Sequence, residues 1–463
     1  MQTKSWGLIV ACDLLAATAV TQADEVTNWN EILLQAVRTG ATPPPAASRA
    51  MACVHVAVYD AVNAIDGSHE AYLNEVPTAP EGASLAAAAA AAAHSVLIGL
   101  YPAQQATFDE ALATSLAAIA DGDAKDDGVA LGESVAAAIL SERGADHSAD
   151  VVEYTPGTDP GDWQPTPPAF APSLAPQWPI LTPFAMTSGS QFRSGGPPAL
   201  DSAEYAAAFN ETKAIGRVDS ATRSEEQTEI ARFWANGGGT STPPGHWNQI
   251  AQVVAEAQGN TLAENARLFA LLNIALADAA IVSWDNKYAY NHWRPVTAIP
   301  AAETDGNDAT EADAEWLPLL TTPPFPEYTS GHSTFSGAAA KTLEGFFGTD
   351  EIEFTVNSDG TPDVFRSYTS FSQAAQESAD SRMYAGIHWR YANQDGLAGG
   401  QALGEYVTAN LLQAVDGDDG DGDGQPRVCG IFGAFQAAGL ISMLLALRAL
   451  PVRRSRRVAA REA

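Results

Sequence analysis

Residues 323–340 read PPFPEYTSGHSTFSGAAA. A proline-rich run leads into Ser330-Gly331-His332, and the alanine-rich pattern that begins near Ser333 predicts a helix. The tripeptide therefore falls at a helix N-terminus, where free backbone N–H groups favour an anion. Glycine also lets the backbone approach a ligand closely. Taken alone, the tripeptide is best explained as an ordinary capping turn.

A second cluster comes earlier in the chain. Lys287 closes a long apolar helix predicted for 262–285, and Arg294-Pro295 follows seven residues after the lysine. Residues seven apart on one helix share a face and lie about 10.5 Å apart along its axis, so both cations would reach one anion. Pro295 would stop the helix near the arginine. The alternative is a basic helix end that the helix dipole favours.

A third cluster lies in a glycine-interrupted helical pattern from Ser370 to about Ala414. His388 comes six residues after Arg382, which itself follows Ser381, so a bend near Gly386 is needed to bring the arginine and histidine to one ligand. Alone, this pattern is explained by a helix with a hydrogen-bonded histidine.

Together the clusters provide three fixed cations, one hydroxyl, one glycine amide and two imidazoles. A charge-assisted hydrogen bond is shorter and roughly twice as strong as a neutral one. Three such donors converging would neutralise a doubly charged oxyanion, such as phosphate or vanadate, away from water. His292, between Lys287 and Arg294, is interpreted as structural, or at most as flanking this site.

The composition is that of a globular, strongly acidic chain. Of 463 residues, 46% are hydrophobic, and the formal net charge is −32. This charge excludes nucleic acid or an anionic lipid surface as a partner of the folded body. Only five lysines occur, so a lysine in the second cluster does not reflect lysine abundance. Cys53 is predicted to be a small core residue without a disulfide.

The pattern between the two ends is mostly helical. No internal repeat and no alternating strand of sheet-forming length is found, so we predict an all-α protein built of helical bundles. Helices are predicted at 48–65, 83–100, 105–120, 128–140, 203–215, 224–234, 247–257 and 262–285. Residues 154–200 form a long proline-rich loop whose aromatic residues predict an ordered covering layer.

Both ends of the chain have the composition of targeting segments. Residues 1–23 combine Lys4, an apolar stretch and a small-residue exit, which predicts a signal peptide. A lipoprotein cleavage box ending at Cys12 is the alternative. The protein is therefore expected to be extracytoplasmic, either secreted or held at the cell surface.

The C-terminal region begins with an Asp/Gly linker at 416–428, for which a calcium-binding loop is the alternative. Residues 429–463 contain an apolar run followed by clustered arginines. This layout predicts a sorting or anchor segment that contacts the membrane. The folded helical domain is expected to span 24–415.

The three clusters, in this order and with these internal spacings, resemble the superfamily of phosphatidic acid phosphatase type 2 and vanadium haloperoxidase. Three sequence segments are similar to those of the bacterial vanadium-dependent haloperoxidases: KYAYNHWRPVTAI (287–299), PPFPEYTSGHSTFSGAAA (323–340) and SRMYAGIHWRY (381–391). The resemblance covers roughly residues 28–414.

The resemblance implies a role for each matching residue. The groups that bind the oxyanion are Lys287, Arg294, Ser330, the Gly331 amide and Arg382. His388 is the axial ligand of vanadium, or the nucleophile if a phosphoryl group is bound. His332 is the general acid–base, and Phe325 corresponds to a position near the halide site.

Two positions depart from the family pattern. Thr329 stands where proline is frequent, and Ala392 stands where an aspartate often supports the histidine of the third motif. Asp395 comes seven residues after His388 and is not expected to orient it. The missing aspartate favours a haloperoxidase over a phosphatase.

The function that the resemblance implies is a vanadate-dependent haloperoxidase acting on hydrogen peroxide, halide and a small organic acceptor. The motifs do not choose the halide. Two alternatives stay open at this point. One is an acid phosphatase with His388 as nucleophile, and the other is a surface protein that binds an oxyanion without turnover.

Overall fold

The fold is described from a computed structural model that covers residues 24–415. Within this range the chain forms thirteen α-helices and one two-stranded sheet. The helices are α1 (Glu25–Gly40), α2 (Pro44–Asp66), α3 (Leu85–Leu100), α4 (Gln105–Ala117), α5 (Asp123–Glu142), α6 (Ala203–Ile215), α7 (Glu225–Phe233), α8 (Thr242–Gln258), α9 (Leu262–Tyr290), α10 (Pro295–Ala298), α11 (Gly331–Phe347), α12 (Phe371–Tyr384) and α13 (Arg390–Asn410). The predicted all-α class is confirmed. The predicted signal peptide, linker and anchor segment lie outside the described residues and stay predictions.

A small β-hairpin is the exception to the helical fold. Strands β1 (Phe354–Ser358) and β2 (Thr361–Tyr368) pair antiparallel. The sequence predicts no strand here, and that prediction is wrong. The strand is difficult to recognise from the sequence because β1 is only five residues long. Asp359-Gly360 between the strands is a common hairpin-turn dipeptide that signals the structure. The hairpin is fastened to α12 by Arg366, whose Nε lies 2.8 Å from Glu377 Oε1.

Helix α9 is the central helix of the core. It begins with a capping box in which Thr261 and Glu264 satisfy each other's backbone N–H groups. Every residue from Leu268 to Lys287 is buried. By length and hydropathy α9 is able to cross a membrane, but 94% of its most apolar window is buried inside the protein. It is therefore explained as the core helix of a folded domain.

Two helix pairs approach unusually closely. A Cβ built at Gly132 of α5 would overlap the Ala88 carbonyl oxygen of α3, and one built at Gly400 of α13 would overlap the Thr334 carbonyl oxygen of α11. Glycine is needed at both contacts because backbone touches backbone. The second contact places α13 against the first turns of α11, where the predicted Ser-Gly-His motif lies.

The loop at 154–200 forms the ordered layer that the sequence predicts. It contains no α-helix, yet the aromatic residues Trp163, Trp178 and Phe184 are buried, while Phe170 is exposed. Asp278 of α9 fastens the loop by accepting hydrogen bonds from three consecutive backbone N–H groups, at 2.7 to 2.8 Å (Phe184, Ala185 and Met186). The loop is thereby held against α9.

Candidate active site

The second cluster, Lys287 and Arg294, lies around the end of α9. Lys287 lies in the last turn of α9, which ends at Tyr290 with Asn291 in the left-handed conformation. Arg294 is beyond this helix in extended backbone, and α10 begins at Pro295. The prediction of one continuous helix stopped by Pro295 is therefore wrong, because proline at a first helical position starts a helix.

The two cations meet nonetheless, at the ring of Phe325. Lys287 Nζ lies 5.1 Å from the ring centroid, and the Arg294 guanidinium carbon lies 4.8 Å from it. Lys287 also donates to the backbone oxygens of Glu327, at 3.0 Å, and of Thr329. A turn, and not a shared helical face, brings the cations together.

The Ser-Gly-His motif lies at the start of α11, as predicted. Ser330 is the N-cap, and its Oγ accepts from the Ser333 N–H at 3.4 Å. Gly331 is the first helical residue. His332 follows it, with Nε2 3.3 Å from the Ala235 carbonyl oxygen. The capping turn and the anion-facing motif are thus the same structure.

The third cluster is separated by the predicted bend. Helix α12 ends at Tyr384, Gly386 has a φ of 77°, and α13 begins at Arg390, so His388 lies in the break between them. Arg382 occupies the last turn of α12 and donates from Nη1 to the Trp234 carbonyl oxygen at 3.1 Å. Only glycine adopts the left-handed backbone here without strain.

The predicted residues converge on one cavity of about 410 Å³. Five of them line it: Phe325, Gly331, His332, Arg382 and His388. The other three adjoin these five. Arg294 Nη1 lies 3.0 Å from His388 Nε2, Lys287 packs on Phe325, and Ser330 precedes Gly331. All eight predicted residues are therefore brought together, although they come from three distant stretches.

The cluster has hydrogen-bond donors to spare. Arg294 Nη2 and Arg382 Nε are buried and have no hydrogen-bond partner within residues 24–415. A buried charged donor without a partner is costly, so such atoms indicate a ligand. The described residues include no group of three or more His, Cys, Asp or Glu side chains that could hold a metal cation. The donor set fits an oxyanion such as vanadate.

Electrostatics agree with this fit. Burial and the neighbouring Arg294 hold the pKa of Lys287 well below its usual value. Burial lowers the pKa of Arg294 to about 10, and burial together with Arg294 lowers that of Arg382 to about 9. The cations are buried away from water and repel one another. A bound anion would offset both the cost of burying these charges and the repulsion between them.

Glu327 is a site residue that sequence reasoning missed. Its fully buried carboxylate accepts at Oε1 from His388 Nδ1 at 2.7 Å and from the Trp389 N–H at 3.0 Å. Burial raises the pKa of Glu327 to about 7. The available signal was a lone acidic residue within PPFPEYTSGH. The carboxylate expected four residues after His388 is supplied from another segment.

Asp395 and His292 behave as the sequence predicts. Asp395 accepts from the Tyr328 hydroxyl at 2.7 Å, and no hydrogen bond joins it to His388 in the described structure. His292 is buried with Nε2 2.7 Å from the Tyr391 hydroxyl, and its backbone oxygen accepts from the Glu327 N–H at 2.9 Å. His292 therefore flanks the site without lining the cavity.

Comparisons with known proteins agree on one family. The family description "VCPO second helical-bundle domain" matches residues 267–417. Vanadium chloroperoxidase from Curvularia inaequalis is 28% identical over an alignment of 483 positions, gaps included, which covers 78% of this chain and 78% of that protein.

Two solved structures extend the likeness to the whole fold. The structure described as the first bacterial vanadium-dependent iodoperoxidase has a TM-score of 0.76 and 32% identity, covering 85% of this chain and 97% of that one. A holo-type bacterial vanadium-dependent chloroperoxidase has a TM-score of 0.65 and 18% identity, covering 85% of this chain and 98% of that one.

The helical fold and its buried cluster of cations and imidazoles define an enzyme that works on a bound oxyanion. The identity shared with the bacterial iodoperoxidase structure, over nearly all of that structure, makes the assignment specific. The chain belongs to the vanadium-dependent haloperoxidases, and it is a peroxidase-class enzyme whose cofactor is vanadate.

Proposed function

We propose that this enzyme oxidises halide with hydrogen peroxide and releases a hypohalous species. The balanced reaction is H₂O₂ + X⁻ + H⁺ → HOX + H₂O, where X⁻ is the halide. The site must therefore hold the cofactor, admit a halide and deliver one proton. The observation that carries the proposal is a pair of buried donors, Arg294 Nη2 and Arg382 Nε, that have no hydrogen-bond partner among residues 24–415. Arg294 contacts His388 through Nη1, and Arg382 lines the same cavity as His388.

The residues that would hold vanadate are those that the motifs select. Three cations and the groups at the start of α11 would bind its oxygens (Lys287, Arg294, Arg382, Ser330 and the Gly331 amide), and His388 Nε2 would coordinate its vanadium. Bound vanadate supplies a Lewis acid that activates peroxide, a role general to catalytic metal ions. Donors already in place when charge develops are usually the largest source of rate enhancement.

His332 is the proposed general acid–base. Its Nε2 faces the Ala235 carbonyl oxygen, which only accepts, so the neutral ring carries its proton on Nε2. Burial and the neighbouring Arg382 hold the pKa of His332 well below its usual value. The ring is thus neutral before the reaction and able to take up and release a proton.

The lining of the cavity supports a weakly hydrated halide. Trp284, Phe325 and Phe335 contribute aromatic rings to it. Moving an anion out of water costs less as its radius grows, so we expect iodide to be used better than bromide and bromide better than chloride. The cavity of about 410 Å³ also exceeds the needs of peroxide and a halide. Its size lies in the range that holds organic ligands, about 300–1,000 Å³, and supports a small organic acceptor.

Acid phosphatase activity is the second candidate, and one observation favours it. The sequence favours a haloperoxidase over a phosphatase because Ala392 stands where an aspartate often supports the histidine of the third motif. In the structure, however, Glu327 provides a carboxylate 2.7 Å from His388 Nδ1. His388 Nε2 is therefore equipped to attack phosphorus, with His332 protonating the leaving group. Because the chain belongs to an enzyme family, a binding protein without turnover is the weakest alternative.

A paired assay tests the proposal. Protein purified with vanadate is given peroxide, each halide and a dye that becomes halogenated, and a second sample without vanadate is given nitrophenyl phosphate. We expect halogenation that depends on vanadate, with the halide order given above, and metal analysis near one vanadium per chain. Phosphate ester hydrolysis without halogenation would replace the proposal with the phosphatase, and tight phosphate binding with neither activity would leave only a binding protein.

A further inference from the structure

The further inference concerns Glu327 and rests on the proposed role of His388 as the axial ligand. Glu327 is held at three points. Its N–H donates to the His292 carbonyl oxygen at 2.9 Å, its backbone oxygen accepts from Lys287 Nζ at 3.0 Å, and its Oε1 accepts from two donors of the α12–α13 break. A carboxylate fixed in this way has one orientation toward the imidazole.

The hydrogen bonds around His388 decide which ring nitrogen carries the proton. Arg294 Nη1 lies 3.0 Å from His388 Nε2, and a guanidinium nitrogen only donates. Nε2 must therefore accept, so it carries no proton. The proton of the neutral ring is on Nδ1, which donates to Glu327 Oε1 at 2.7 Å.

We infer that Glu327 is a positioning residue that holds His388 in the tautomer with an unprotonated Nε2, and that it thereby sets the affinity for vanadate. Nε2 is the only ring atom of His388 left to coordinate vanadium once Nδ1 is engaged. A hydrogen-bonded partner behind a ligating histidine fixes both its tautomer and its ring orientation, and loss of such a partner typically lowers metal affinity by about 10- to 100-fold.

A purely electrostatic role for Glu327 would have the opposite effect. Glu327 is negative when ionised and lies beside cations that bind an anion, so its charge alone weakens anion binding. If charge were its whole contribution, every neutral replacement would bind vanadate more tightly. The sign of the change therefore separates positioning from charge balance.

Two variants of similar size test the inference. Glu327→Gln keeps an oxygen that accepts from Nδ1, and Glu327→Leu removes it. We expect Glu327→Leu to bind vanadate about 10- to 100-fold more weakly, whereas Glu327→Gln should bind it as tightly as the wild type or more tightly. The measurement is vanadate titration of the apoprotein by calorimetry, with circular dichroism to confirm the fold. Equal or tighter binding by the Leu variant would overturn the inference.

Inorganic phosphate is a second probe because it binds through its oxygens without a bond to Nε2. Phosphate affinity should stay at the wild-type level or rise in both variants, so a loss confined to vanadate identifies the histidine as the affected group. Asp395→Asn is the matched control, since its carboxylate is nearby but bonds Tyr328 and not His388. It should leave both affinities unchanged, and a vanadate loss equal to that of Glu327→Leu would contradict the inference.

A measurement on the wild-type apoprotein decides the case even if a variant fails to fold. With ¹⁵N-labelled histidine, the signals of His388 should report a protonated Nδ1 and an unprotonated Nε2, and the reverse tautomer would overturn the inference. Failure of the proposed function looks different. If His388→Ala still retained vanadate, the axial assignment would fall, whereas loss in His388→Ala with full binding by Glu327→Leu would remove only the role of Glu327.

Discussion

The α3–α5 pair and the α11–α13 pair are packed through the same contact and lead to different chemistry. A Cβ built at Gly132 would lie 2.8 Å from the Ala92 N atom across the first pair, and one built at Gly400 would lie 2.8 Å from the Ala338 N atom across the second. Around the first contact α3 contributes a run of buried alanines. Helix α11 instead begins directly after Ser330, at the cavity. Close packing makes both pairs rigid, but only a helix that starts beside buried cations becomes part of a site.

Two buried histidines also differ in whether charged groups surround them. His55 of α2 stacks on Phe269 at 5.0 Å, its Nε2 lies 3.1 Å from Asn30 Oδ1, and burial lowers its pKa to about 3. His388 is equally buried, yet Arg294 faces one ring nitrogen and a carboxylate faces the other. A low pKa therefore does not identify a functional histidine. The charged neighbours do.

The largest expected effect would come from removing one of these histidines. His388→Ala should abolish vanadate retention, because the nitrogen proposed to coordinate vanadium is lost, while His55→Ala should retain vanadate and lose about 1–3 kcal/mol of folding stability. Metal analysis after dialysis and denaturant unfolding measure the two quantities. Wild-type vanadate content in His388→Ala would mean that the comparison between the two histidines is mistaken.

The next effect is expected within the site itself. His332→Ala should lower kcat by about 10²- to 10⁴-fold, because proton delivery is lost, while vanadate affinity changes little. Steady-state kinetics with saturating vanadate and a separate binding titration provide the check. A variant that lost vanadate and activity together would show that His332 binds the cofactor and is not mainly a proton carrier.

The smallest and most closely matched test uses the two glycine contacts. Gly132→Ala and Gly400→Ala should each destabilise the fold by about 1–3 kcal/mol, because the added methyl group overlaps a facing backbone. Only Gly400→Ala should also weaken vanadate binding, since it displaces Thr334, whose N–H and Oγ1 both bond the Ser330 carbonyl oxygen. Equal binding by both variants would show that the position of α11 has no influence on the cofactor.

Local patterns predicted much of the fold correctly. The start of α11 follows from Ser330 as an N-cap, and the break before His388 follows from Gly386, because capping and left-handed backbone are properties of a few adjacent residues. The sequence pattern does not predict helix α10, because a proline after a basic residue fits the end of one helix as well as the start of the next. The hairpin was missed because β1 is short and its attachment through Arg366 to Glu377 is a tertiary contact.

The sequence by itself determined the inventory of the site. Residue types and spacings in three stretches identified Lys287, Arg294, Arg382 and the two histidines as candidates. Cations and N–H donors are the groups that bind an anion, so their presence is visible in the sequence. Only the tertiary structure decided how they act together. It showed that a turn at Asn291 brings the cations to one ring, and that Glu327 replaces the carboxylate missing at Ala392. The physical reason is that a hydrogen bond depends on distance and direction, and the bond between Glu327 and His388 joins residues 61 positions apart in the chain.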